Sequence, residues 1–298
     1  MLCLDYKKAS GVLPAAWFFL SAAEGTIITF GVPLVLLALE RRFIFFPVPA
    51  LEEWLPPPSD LHIENVELTG AGGTRIHAWW MTPPGWEASQ GALLYCHGNA
   101  GNLSHRGEGL RRWRDWVQMA VLIFDYPGYG HSSGVPTEAG CYASADAAYD
   151  WLIGEAKVPG ERLLLYGGSL GGAIATDVAV RRPHRGLVLV SSFTSMADMA
   201  KLRFPWLPAR WLLRHRFDTL AKIAACRRPV FIAHGTADKI VPYAQGERLF
   251  AAANEPKQFF PMPGYDHNHT PPPDFYRSLC EFFARAETTS PPHAAAGS

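Results

Sequence analysis

The sequence is short of charge: 18% of its 298 residues are Asp, Glu, Lys or Arg, against about 25% in an average globular protein. Its 27 basic side chains are matched by 27 acidic ones, so neither sign is in excess and nothing favours a nucleic acid as partner. Cysteine is scarce as well. Cys3, Cys96, Cys141, Cys226 and Cys280 are odd in number and far apart, which argues against a disulfide framework and reads as buried or free thiols. There is no CxxC pair, no HExxH and no Cys/His spacing of a zinc site, so no metal and no cofactor is expected. Repeats are missing too: 27 Gly and 25 Pro are scattered between apolar runs, which excludes fibrous and disordered classes for most of the chain.

The charge deficit has a local origin. From Gly11 to Leu39 the only charged residue is Glu24, and the stretch exceeds the roughly 20 apolar residues that a membrane-spanning helix needs. A cleavable signal peptide is the rival reading, with Lys7-Lys8 as its basic region, Val12 to Leu20 as its core and Ser21-Ala22-Ala23 as its cleavage site. Cleavage there would leave Thr26 to Leu39 still apolar, so residues 1–45 are read as an N-terminal tail and uncleaved single-pass membrane anchor. Lys7-Lys8 and Arg41-Arg42 balance across it and leave its orientation open. Residues 46–59 form a Pro-rich linker, 60–287 the globular domain and 288–298 a Pro/Ala-rich tail expected to be disordered.

Within the globular domain, Val66 to Leu68 and Ile76 to Met81, joined by Gly70-Ala-Gly-Gly73, predict an antiparallel hairpin. Five short runs follow: Ala92 to Tyr95, Val121 to Phe124, Leu163 to Tyr166, Leu187 to Val190 and Val230 to Ala233. They are apolar throughout rather than alternating, as in strands buried on both faces of a parallel sheet. Helices are predicted between and after them, at about Ala143 to Ile153, Leu170 to Val180, Tyr243 to Ala252 and Asp274 to Ala286. Such alternation implies an open α/β fold whose chemistry sits in the loops after the strands.

Four of those five loops are chemically suggestive, and two of them, with a segment further on, carry nucleophilic chemistry. Gly167-Gly168-Ser169-Leu170-Gly171 is a G-x-S-x-G between strand and helix, a spacing that permits a sharp turn and lifts the Ser169 hydroxyl clear of the backbone. A serine hydroxyl needs a base to take its proton and a carboxylate to orient that base. His234-Gly-Thr-Ala-Asp238 offers Asp238, and Pro263-Gly-Tyr-Asp-His267 offers His267. Asp266 and Asp125 are rival acids; Asp266 adjoins the histidine, where side chains converge poorly. Gly128 to Gly134 has the spacing G-x-G-x-x-x-G, one residue too long for a dinucleotide fingerprint.

The order Ser169, Asp238, His267 is that of the α/β-hydrolases. From about Ala50 to Ala284 the chain resembles their membrane-anchored group, which includes depalmitoylating thioesterases and the bud-emergence-related proteins. The resemblance rests on Arg42-Phe-Ile-Phe-Phe-Pro47, His97-Gly-Asn-Ala-Gly-Asn102, Asp125-Tyr-Pro-Gly-Tyr-Gly130, Gly167-Gly-Ser-Leu-Gly171, Phe193-Thr-Ser-Met-Ala-Asp198 and His234-Gly-Thr-Ala-Asp238. At the late loop the group has His-Asn-Asp where this chain has His267-Asn268-His269. The resemblance implies an oxyanion hole from the backbone N–H groups of Leu170 and Asn99, with His97 bracing its loop. It also implies a cap at residues 194–226, whose Phe204, Trp206 and Trp211 are candidate walls of an acyl pocket. His267 and His269 form an H-x-H pair, but no third metal ligand lies near in sequence.

The sequence therefore predicts an α/β-hydrolase fold and a serine hydrolase that cleaves esters or thioesters of a small-molecule or lipid-like acyl substrate. A peptidase would share the same three residues, and a non-catalytic scaffold would share the fold.

Overall fold

In a computed structural model, residues 40–206 and 208–289 are described. Residues 1–39 of the tail and anchor expected at 1–45, and residues 290–298 of the tail expected at 288–298, lie outside them; Thr288 and Thr289 belong to the last helix rather than to a disordered tail. Among the described residues no helix is long and apolar enough to cross a membrane.

Eight strands form one sheet: β1 (Ile63–Thr69), β2 (Arg75–Met81), β3 (Ala92–Cys96), β4 (Ala120–Phe124), β5 (Leu163–Gly168), β6 (Gly186–Val190), β7 (Val230–Gly235) and β8 (Lys257–Met262). Their order across the sheet is β1-β2-β4-β3-β5-β6-β7-β8. β2 runs antiparallel to both β1 and β4, and every other pairing is parallel. The turn between β1 and β2 needs its glycines, because Gly72 and Gly73 have φ of 65° and 76°.

The helices are α1 (Gly107–Arg112), α2 (Glu138–Gly154), α3 (Leu170–Ala179), α4 (Met196–Arg203), α5 (Ala209–Leu212), α6 (Thr219–Ile223), α7 (Tyr243–Ala252) and α8 (Pro273–Thr289). Side chains alternate across each strand, so β3 divides its residues between two cores. Ala92, Leu94 and Cys96 pack with α2 and α3, whereas Leu93 and Tyr95 pack with Trp113, Phe275 and Leu279. Burial on both faces is what the unbroken apolar runs require.

Strand β8 has no counterpart among the predicted runs. Its sequence Lys-Gln-Phe-Phe-Pro-Met opens polar and contains Pro261, which reads against a strand. Pro261 is tolerated because β8 is the outermost strand, paired only with β7, so a missing N–H breaks no second ladder. Residues 46–59, expected as a linker, are held along the body instead. Phe46–Pro47 pairs in parallel with Ala100–Gly101, and Ala50 N donates to Gly130 O at 2.9 Å. Asn102 Nδ2 donates to Val48 O and Glu53 O, both at 2.9 Å. The body reaches further upstream still, for Ile44 and Phe45 are buried.

Candidate active site

Strand β5 ends at Gly168 and α3 begins at Leu170, so the whole reversal falls on Ser169, whose backbone sits at φ 52° and ψ −117°. A non-glycine residue there is strained by about 1–3 kcal/mol and persists only when its surroundings fix it. Three hydrogen bonds do so: Ser169 N donates to Val190 O at 2.9 Å, and Ser169 O accepts from Gly172 N at 3.0 Å and Ser192 Oγ at 3.1 Å. The neighbouring glycines are required by space. A Cβ at Gly171 would stand 2.0 Å from Cys96 O, and one at Gly172 would meet Ser192 Oγ at 2.1 Å. Without side chains there, α3 lies directly against β3 and presents Ser169 at the carboxyl end of the sheet.

His267 is on the loop after β8, with its Nε2 3.1 Å from Ser169 Oγ. Its Nδ1 lies 2.7 Å from Asp238 Oδ2, on the loop after β7. Asp238 Oδ1 accepts from Ile240 N at 2.9 Å and Val241 N at 2.8 Å. Burial opposes ionisation of Asp238, but hydrogen bonds from His234 and His267 outweigh it and hold the carboxyl well below the usual range. An ionised Asp238 has no proton to give, so neutral His267 carries its hydrogen on Nδ1 and turns Nε2, as an acceptor, toward the Ser169 hydroxyl.

The rival acids are engaged elsewhere. Asp266 Oδ1 accepts from the N–H groups of His267 at 2.8 Å and Lys239 at 3.1 Å, which sets the shape of the histidine loop. Those amides hold its carboxyl below the ordinary value. His269 Nδ1 accepts from Asp266 N at 2.9 Å, a bracing role within the same turn. Asp125 is buried beside His97 at 3.3 Å and accepts from Leu103 N at 2.8 Å. His97 also reaches Gly98 O at 2.7 Å and accepts the Tyr126 hydroxyl on its own carbonyl at 2.7 Å, so both residues brace the loop after β3.

That loop borders the serine, since a Cβ at Gly98 would stand 3.7 Å from Ser169 Cβ. Asn99 follows it, its side chain turned away: Oδ1 accepts from Tyr129 Oη at 2.8 Å and Phe46 N at 3.4 Å, and Nδ2 donates to Ile44 O. Leu170 N belongs to the first turn of α3, where an N–H has no acceptor within its own helix.

The expected acyl-pocket aromatics are placed differently. Trp206 and Trp211 are 63% and 84% exposed, and Phe204 is half-buried against Trp206. The four-residue α5 buries Ala209 and turns Trp211 outward, so Trp206 and Trp211 face solvent. Sequence reading assigned no role to His234. It is fully buried, with Nε2 3.3 Å from Asp238 Oδ2 and 2.9 Å from Val241 O; the four-residue spacing from His234 to Asp238 is the one signal that could have found it.

A sequence profile of the alpha/beta hydrolase fold matches residues 91–222. An uncharacterized protein of Mycobacterium tuberculosis, Rv2307c, is 39% identical over 246 residues, spanning 81% of this chain and 85% of its own. The alpha/beta hydrolase domain-containing protein WAV2 of Arabidopsis thaliana is 32% identical over 250 residues, 77% of this chain and 80% of that protein. Protein bem46 of Schizosaccharomyces pombe is 30% identical over 250 residues, 80% of this chain and 83% of that one. Among solved structures, the Pyrococcus furiosus esterase Pf2001 superposes with a TM-score of 0.65 at 18% identity, over 81% of this chain and 99% of its own.

Proposed function

Because the chain belongs to the α/β-hydrolase family, in the group that contains bem46, we propose that it is a serine hydrolase cleaving carboxylic esters or thioesters. The observation that carries this reading is the continuous relay from Ser169 Oγ to His267 Nε2 at 3.1 Å and from His267 Nδ1 to Asp238 Oδ2 at 2.7 Å. Ser169 Oγ attacks the acyl carbonyl while its proton passes to His267 Nε2. The imidazolium so formed faces the anionic Asp238 and returns the proton to the leaving alcohol or thiol. Water enters by the same steps and releases the acid. The tetrahedral oxyanion is received by the N–H groups of Leu170 and Asn99, each worth about 3 kcal/mol in a dry site, and the positive end of α3 adds to them. The P. furiosus neighbour is by its name an esterase, a reaction that this relay can serve. An apolar segment at residues 11–39, acting as a membrane anchor, suits a lipid-like acyl substrate.

The test is turnover of acyl esters, acyl thioesters and matched amides of graded chain length, with fluorophosphonate labelling alongside. Ser169→Ala is expected to lose all labelling, and Ser169→Ala and His267→Ala to lose about a thousandfold or more in kcat. Labelling of the Ser169→Ala protein at wild-type level, or no turnover of any substrate by the wild type, would overturn the proposal.

A further inference from the structure

Between Asp198 and Asp218 the chain carries Lys201, Arg203, Arg210, Arg214 and Arg216 and no carboxylate. In a sequence whose charges balance over its whole length, so one-sided a run creates a local positive field. Three of these cations, Lys201, Arg210 and Arg216, line one cleft of about 320 Å³ in the cap, together with Arg248, Asp198 and Asp218. The acidic members are already committed. Asp198 Oδ2 is 3.1 Å from Arg248 Nη1 and accepts from Thr194 Oγ1 at 2.6 Å, and Asp218 Oδ1 accepts from Ala221 N at 3.0 Å. Among the described residues no carboxylate lies within 4 Å of the Lys201, Arg210 or Arg216 charge.

The backbone that presents these cations is fixed. Glu40 Oε1 accepts from Arg214 N and His215 N, both at 2.9 Å, and Glu138 accepts from Arg216 N at 2.5 Å and Phe217 N at 2.8 Å. Arg216 O in turn accepts from Met196 N at 2.8 Å, joining this loop to α4 and therefore to Lys201. Like charges held around one cavity repel each other, and an anion entering it relieves that repulsion. Two guanidinium groups and an ammonium suit a tetrahedral oxyanion, which accepts forked N–H pairs and a point charge together.

We propose that this cap cleft is a binding site for the phosphate group of a phosphomonoester, separate from the Ser169 site. The phosphate can belong to a lipid headgroup or to a soluble metabolite. The exposed indoles of Trp206 and Trp211 on the same cap offer an apolar surface to an acyl chain, so the lipid form is expected to bind more tightly.

Calorimetric titration of the full chain with monomeric dihexanoyl phosphatidic acid, glycerol 3-phosphate and dihexanoyl phosphatidylcholine tests this. The double variant Arg210→Gln/Arg216→Gln is expected to bind the phosphomonoesters about tenfold or more weakly, and binding by the wild type to weaken as sodium chloride is raised. Phosphatidic acid binding more tightly than glycerol 3-phosphate assigns the lipid source, and equal affinity assigns a soluble phosphate. Equal binding by double variant and wild type, or no binding of either phosphomonoester, overturns the site. Both substituted side chains are exposed, so an unchanged melting temperature certifies the fold of the variant. Ser169→Ala is expected to bind phosphate like the wild type, so failure of the hydrolase reading and failure of this one are told apart.

Discussion

Asp238 is approached by two histidines with different duties. His267 is 10% exposed at its side chain and faces the serine, whereas His234 is fully buried behind the carboxylate and can reach no substrate. By donating from Nε2 toward both Asp238 and Val241 O, His234 favours the anion and fixes its orientation, a positioning role one step removed from the chemistry. His234→Leu removes that donor. The expected outcome is a fall in kcat of about tenfold with KM little changed, and a rise of the Asp238 pKa toward its ordinary value. Titrating active sites with a fluorophosphonate separates this from misfolding: a residue that only packed the loop would lower the fraction of competent sites and leave kcat per site unchanged. Ser169 and Asp238 were legible because each lies just past an apolar strand in a short motif, and His267 because it follows both in the chain order Ser, Asp, His. His234 was not, since an apolar strand context hides a polar contact that exists only once the loop to Val241 has closed. The outward turn of Trp211 was equally illegible, because aromatic character does not state which way a side chain faces.

At the scale of elements, the hairpin and the five apolar runs located seven of the eight strands of the sheet, and the edge strand β8 escaped because its proline is harmless only on the outside of a sheet. The cap's attachment was beyond sequence reading for another reason. Four consecutive amides, from Arg214 to Phe217, are held by two carboxylates, Glu40 and Glu138, that lie far away in the chain. Glu138 also opens α2 and accepts from the Tyr142 hydroxyl at 2.7 Å, so one side chain ties the cap loop to the helix beneath it. Glu138→Ala leaves the Arg216 and Phe217 amides without their acceptor, at a cost of about 1–3 kcal/mol. Because Arg214 and Arg216 are exposed trypsin sites, the expected result is faster tryptic cleavage at those two positions, with the other sites unchanged. Cleavage at the wild-type rate would show that the cap loop is held by its other contacts.

For the molecule as a whole, the segment at residues 46–59 joins the fold through Trp54, and this makes stability depend on a histidine remote from the active site. Trp54 stacks edge-on against His77, Trp79 and His131, with ring centroids 5.3, 5.5 and 4.3 Å away. His77 Nε2 lies 3.0 Å from Asn65 Oδ1, and its Nδ1 is buried with no hydrogen-bond partner. A second proton would therefore sit on a nitrogen without an acceptor. Burial, helped by His131 and Arg75 and opposed by Asp125, lowers the His77 pKa from 6.5 to about 4. Above pH 6.5 the ring is neutral in the folded and unfolded chain alike and contributes no slope. As the pH falls from 6.5 toward 4, the unfolded chain takes up a proton that the folded chain refuses, so stability declines; below 4 both forms are protonated and this loss is complete. Asp238, held ionised in the fold, adds its own loss at more acidic pH still. His77→Gln keeps a donor for Asn65 and has nothing to titrate. Its melting temperature is expected to fall less than that of the wild type between pH 6.5 and 4, and the variant's dependence above pH 6.5 is expected to run parallel to the wild type's. Equal slopes for the two proteins across the acidic window would place the acid sensitivity elsewhere, on the carboxylates alone.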